Sequence, residues 1–255
     1  MSSALTLDAV PASIRRFLED SIVPSPHSID LAPSVDGDYL HRSERRHPHI
    51  AETYHLNSKL SPHSLVQPAG PEAIEQVREW FFETSYQTSE DVLDEDQTHY
   101  VQVEIDDLPE PVGAWVRALE PANRHFFGAD LLMVVDGRLL RYVPGRSYLI
   151  VERSFSDEDH QALLGTLLRP RPDWTESVAL AAVVVCPWRY QLLTGPRGYR
   201  DALFDVGRVL CAAERAADEA DVDLDVRTRF YDRVAEDVLR LDGVERSACA
   251  LLSIA

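Results

Sequence analysis

Thr194-Gly195-Pro196-Arg197-Gly198-Tyr199-Arg200 stands between an apolar run that ends near Cys186 and a long Ala-rich pattern that begins at about Tyr199. Such a segment is a shaped turn. Gly195 and Gly198 accept backbone angles or close approaches that a Cβ forbids, while Pro196 fixes φ and removes a donor. The expectation is a buried strand handed directly to a buried helix. With the helix starting at Gly198, Arg197 and Arg200 fall near its positive end, where an anion is favoured. A surface turn with two solvated arginines satisfies the same spacing, and the pattern alone leaves both readings open.

The flanking pattern fixes the fold class. Residues 178–185 are apolar and β-rich, as in a strand covered on both faces. Past the turn, Leu203, Val206, Leu210, Ala213 and Ala217 recur as an inward stripe, and the small Gly207, Cys211 and Ala212 admit a neighbouring helix from this chain or another. Residues 131–135, the Asp136-Gly137 hairpin signal, residues 139–143 and residues 148–151 read as an antiparallel meander. Val101, Val103 and Ile105 alternate with polar residues, the period of a strand with one wet face. Short strands are also expected around Val222, Leu224 and Val226 and over 248–254.

Helices are expected over 11–20, from Gly70-Pro71 with Ile74, Val77, Trp80 and Phe81 inward, over 112–119, and over 231–241. Another starts at Ser156, where Asp159 completes a capping box, buries Leu163, Leu164, Leu167 and Leu168, and ends at Pro170 and Pro172. The order is α+β: a mostly antiparallel central sheet wrapped by helices. Residues 1–50, a helix and an irregular arm, precede a main domain over 51–255.

Charge narrows the partners. Forty-three acidic against 25 basic residues give −18 over 255 residues, which opposes phosphate backbones and favours a basic peptide. Nucleic acid is not expected. Neither an 18-residue apolar run nor a basic segment leading into an apolar one occurs, so no membrane span or secretory signal is expected and the reading is cytoplasmic. Cys186, Cys211 and Cys249 sit in apolar patterns without ligand spacing and read as buried free thiols. His41, His47 and His49 are interleaved with Arg42, Arg45 and Arg46, which repel a cation; that strip suits an acidic patch better than a metal. Lys59 is the sole lysine.

Gly195-Pro196-Arg197-Gly198-Tyr199-Arg200 followed by Asp201-Ala202-Leu203-Phe204-Asp205-Val206-Gly207 resembles the Gly-x-Arg-Gly-Tyr-Arg segment of SagB-type dehydrogenases. Glu52-Thr53-Tyr54-His55-Leu56-Asn57-Ser58-Lys59-Leu60 is similar to that family's N-terminal segment, and residues 238–243 with 250–254 to its last helix and strand. The resemblance implies a nitroreductase fold, FMN bound at a dimer interface, and oxidation of azolines in ribosomal peptides to thiazoles or oxazoles. It implies Arg197, Gly198 and Arg200 as cofactor-binding residues; position at the helix start makes Arg197, outside the helix, the expected ligand contact, with Arg200 expected to pair with a nearby carboxylate such as Asp201 or Asp205.

The departures are as informative. Between Lys59 and Arg78 there is no arginine where the family carries its phosphate-binding pair. The Ser-Ala-Gly-like segment that approaches the flavin is missing, and the family's Lys-Tyr pair aligns with Leu193-Thr194, neither of which is an acid or base. Arg189 and Tyr190 lie close enough to stand in, with Tyr190 the candidate catalytic residue. Three readings follow from the resemblance. The chain is a degenerate subunit pairing with an FMN-binding, SagB-type partner; or it is an autonomous FMN enzyme acting as its own dimer, with Tyr190 as base; or it is a binding module that grips a peptide or another maturation enzyme.

Overall fold

The structure is a computed structural model that describes residues 69–84, 101–168 and 172–255. The chain divides at Ser61 into two units, and the second contains all of these residues. The expected arm over 1–50, its boundary with the main domain, the histidine cluster, the Glu52 to Leu60 segment and Pro170 lie outside the described residues.

The described residues form α1 (Pro71–Thr84), β1 (Gln102–Glu104), α2 (Glu110–Ala118), β2 (Ala129–Val135), β3 (Arg138–Tyr142), β4 (Tyr148–Ser154), α3 (Asp157–Leu164), β5 (Ala179–Val185), α4 (Pro187–Thr194), α5 (Gly198–Ala220), β6 (Leu224–Arg227), α6 (Asp232–Leu239) and β7 (Ser247–Ile254), with short 3-10 segments between them. The strands make one seven-stranded sheet in the order β1-β4-β3-β2-β5-β7-β6. Every pairing is antiparallel.

Apolar alternation sets the two sides of this sheet. Leu131, Met133 and Val135 of β2 and Ala179, Ala181, Val183 and Val185 of β5 join one core with α2 and α5. Their neighbours Leu132, Val134, Leu180, Ala182 and Val184 join a second core with α3 and α6. Strands buried on both faces read as unbroken apolar runs for this reason. A register shift against Val183/Val184 reverses the alternation in β7, so Ala248 faces the second core while Ala250 faces the first. Asp136 and Gly137 take φ of 48° and 69°, the left-handed pair that a tight hairpin turn requires. Ser156 and Asp159 form the expected reciprocal cap.

Several expectations are corrected. The Gly195–Arg197 turn does not follow a strand: α4 intervenes, with Pro187 in its first turn, and the turn joins two helices. This helix escapes pattern reading because it buries Arg189 and Tyr190 while exposing Trp188 and Leu192. In α5 the expected Val206, Ala213 and Ala217 are buried, but the inward stripe also takes in Ala202, Val209 and Ala212, while Leu203 is 41% exposed. On α1 Ile74, Val77 and Phe81 pack inward as expected, joined by Phe82, but Trp80 is turned outward. The helix over α3 stops at Leu164 and is capped by Gly165, well before the prolines. Leu167 is then buried through a bridge to Phe230, whereas Leu168 is exposed. Val101 is exposed and Ile105 belongs to a 3-10 turn rather than to β1. Cys186 is buried and Cys249 half-buried, but Cys211 is exposed.

Candidate functional site

Two helices meet at Gly198. A Cβ there would stand 2.4 Å from the backbone of Tyr190 and Gln191, a distance no packed side chain tolerates, so only glycine lets α5 begin this close to α4. The close crossing brings Tyr190 of α4 over Asp205 of α5. The phenol Oη donates to Asp205 Oδ2 at 2.7 Å and accepts from Arg78 Nη2 of α1 at 2.6 Å. Gly128, which a Cβ would jam against Ala202, Tyr190 and Asp205, donates its backbone N–H to the same carboxylate oxygen at 3.2 Å. The other oxygen meets His125 Nδ1 at 3.2 Å and Arg208 Nη1 at 3.4 Å.

Asp205 is thus a fully buried carboxylate with each oxygen held twice, which is how a buried charge is tolerated. The Tyr190 ring stands edge-on to Phe127 at 4.9 Å. Burial first, and then the Asp205 charge, push the Tyr190 phenol above its ordinary pKa. Burial likewise holds the His125 imidazole below its usual value, against the pull of Asp205. At neutral pH the phenol is a donor to Asp205, and its remaining capacity is taken by Arg78.

A second buried pair lies beside the first. Arg189 Nη2 meets Asp130 Oδ1 at 2.8 Å, its Nη1 donates to the carbonyls of Phe126 and Phe127 at 3.2 Å, and its guanidinium lies 4.7 Å from the Phe81 ring centre. Asp130 is buried, which raises its pKa, but Arg189 and then Arg246 outweigh that and hold it low. Consecutive residues 189 and 190 therefore serve two separate carboxylates, Asp130 and Asp205.

The sequence-predicted residues are partly brought together. Tyr190 and Gly198 touch; Arg197 is half-buried in the 3-10 turn, and Arg200 lies in the first turn of α5. Asp201 accepts from Thr194 Oγ1 at 3.2 Å, and the ion pair that Asp205 makes along α5 is with Arg208. Sequence reasoning missed Arg78, His125, Gly128 and the structural part of Asp205. Only Asp205 carried a signal, as an acid inside an otherwise apolar stripe.

No family model matches the chain, and no curated protein matches it. Among solved structures it is similar to a protein described as a candidate nitroreductase from Anabaena variabilis ATCC 29413, with TM-score 0.59 and 19% identity over 82% of this chain. The fold is nitroreductase-like. The chain spans less than half of that protein, 46% of its length. Two further likenesses are too weak to bear on fold or function. One is the Escherichia coli microcin synthetase McbBCD complex with truncated pro-MccB17 bound (TM-score 0.47, 11% identity, 81% of this chain and 91% of that one). The other is a candidate nitroreductase from Ralstonia eutropha JMP134 (TM-score 0.44, 13% identity, 78% and 90%).

The family resemblance implies FMN in this nitroreductase-like fold. Its phosphate needs cationic or amide donors. Among the described residues Arg78 and Arg189 are engaged as above. The Gly198 N–H is spent on Gly195 O, and its Cα face is closed by α4. Arg197 makes no ion pair among the described residues, but one such cation is not a phosphate site. The described residues around Tyr190 and Gly198 do not by themselves make a site for the FMN phosphate. Among them, too, no cluster of His, Cys, Asp or Glu could hold a metal, and no helix is long and apolar enough to cross a membrane.

Proposed function

We propose that this chain is a degenerate nitroreductase-fold subunit that works in the cytoplasm beside an FMN-binding, SagB-type partner in the maturation of a ribosomal peptide, where thiazolines or oxazolines are oxidised to thiazoles or oxazoles. The observation that carries the reading is the internal saturation of the site. Tyr190, the candidate base, is buried between Arg78 and Asp205, and no phosphate site is built around it among the described residues. A subunit of this kind contributes surface and scaffold, and Arg197 at the turn, to a pocket completed by its mate.

The outward side of α5 supports the partner. Tyr199, Leu203, Phe204 and Cys211 are exposed along it, with Phe204 at 61%, more apolar surface than a solvated helix ordinarily carries. The test is a flavin titration followed by absorbance. The purified chain alone should bind FMN weakly or not at all, and it should copurify with a flavoprotein when expressed with one. Submicromolar FMN affinity of the isolated chain would establish the autonomous enzyme instead. Capture of peptide or of a maturation enzyme without any flavoprotein would establish the binding module.

A further inference from the structure

A cavity of about 410 Å³ opens on the side of the sheet held by β3 and β4, lined by residues from the 3-10 turn after β1, the end of α2, the 3-10 segment that follows it, and the β3–β4 turn. Its floor is apolar, formed by Ile105, Val116 and the ring of Tyr142, all buried. One of its two rim arginines is neutralised: Arg117 meets Asp106 at 2.8 Å and Glu110 at 3.4 Å. That leaves two rim charges of opposite sign, Glu120 and Arg146. Neither makes an ion pair or a hydrogen bond through its side chain among the described residues.

The neutral polar groups are oriented. Tyr142 Oη donates to Asn123 Oδ1 at 2.7 Å, which fixes the amide and leaves its Nδ2 as a donor. That nitrogen would lie 3.9 Å from a Cβ placed on Gly145, so it faces the turn that carries Arg146. Glu120 stands three residues before Asn123 on the same 3-10 segment, close enough to Tyr142 that its charge adds to burial in raising the phenol pKa. Donors for a carboxylate, Arg146 and Asn123 Nδ2, and one carboxylate unpaired among the described residues, Glu120, thus border one cavity over an apolar base. Pockets that recognise small molecules have this composition: mostly apolar lining with a few convergent polar groups. A phosphate is disfavoured by Glu120 and Asp106, and a hydrocarbon by the rim.

We propose that this cavity binds a small zwitterion with a free ammonium and a free carboxylate, an α-amino acid or a di- or tripeptide. Arg146 and Asn123 Nδ2 take the carboxylate, Glu120 takes the ammonium, and the ligand side chain covers the Tyr142 floor. This site is separate from Tyr190 and does not rest on the function proposed above.

The experiment is an amide NMR titration of the full chain with a set of free L-amino acids, a set of free dipeptides, and the same compounds N-acetylated or C-amidated. A free form should shift resonances of 105–106, 116–123 and 142–147, and blocking either end should weaken binding by about tenfold or more. Glu120→Gln and Arg146→Gln should each weaken it by about tenfold with the melting temperature unchanged. Response to amino acids, to dipeptides or to both names the source. No response from any member, equal binding of the blocked compounds, or indifference to both substitutions would overturn the proposal.

Discussion

Asp205 has no contact with solvent, and its oxygens receive Tyr190, Gly128, His125 and Arg208. Removing one donor from such a carboxylate leaves the rest of its desolvation uncompensated. Tyr190→Phe should therefore lower stability by about 1 to 3 kcal/mol in urea denaturation, because it removes the acceptor of Arg78 Nη2 and one of the two donors to Asp205 Oδ2. A residue retained only for chemistry would leave the midpoint unmoved. His125 sets a pH dependence whose sign follows from its depressed pKa. The unfolded chain takes up a proton near pH 6.5 and the folded chain only at lower pH. The contribution is complete above that value and is lost as pH falls through the folded pKa, so melting temperature should decline from neutral pH toward 5. In His125→Gln that decline should be shallower. At this scale the sequence was least legible. Asp205 showed as an acid in an apolar stripe, but nothing local in Arg78 pointed to a phenol 112 residues away, nor in His125 to a carboxylate 80 residues away.

Elements were legible wherever local chemistry decides them. The Asp136-Gly137 turn and the Ser156/Asp159 cap lie within a few residues of their partners, and both formed as expected. The apolar runs of β2 and β5 announced strands buried on two faces. Helix α4 was hidden because its inward residues are Arg189 and Tyr190, paired to carboxylates on other elements, so its hydrophobic pattern is inverted. Its crossing with α5 rests on one position. Gly198→Ala would drive a Cβ into the backbone of Tyr190 and Gln191, where no flexible side chain can give way. The expected cost is about 3 kcal/mol, readable by thermal melting, and the variant should also raise the accessibility of Tyr190 to solvent quenchers. An unchanged melting temperature would mean that the helices separate freely.

For the molecule as a whole, the resemblance on short motifs anticipated the α+β, nitroreductase-like fold, while the composition of the site did not follow the family's pattern. Assembly is the property that joins the two. If the outward face of α5 seats a second subunit, the chain should sediment as a dimer, alone or with its partner, at micromolar concentration. Phe204→Glu should then shift it to monomer by placing a charge in a dry interface, and the melting temperature of the monomer should be unchanged because Phe204 is exposed. Mild oxidation would add a marker, since Cys211 lies on the same face. A monomer under all these conditions would remove the partner from the proposed function.

The position of β7 in the sheet bears on how the chain reaches its native state. It pairs on one side with β5 and on the other with β6, so the middle of the sheet is assembled from strands separated by more than sixty residues of chain. The β2-β3-β4 meander can form early from neighbouring hairpins, whereas β5 keeps a sticky, unpaired edge until residues 247–254 arrive. Closure of that slot is the pairing expected to form last and to leave the chain most open to aggregation while it forms.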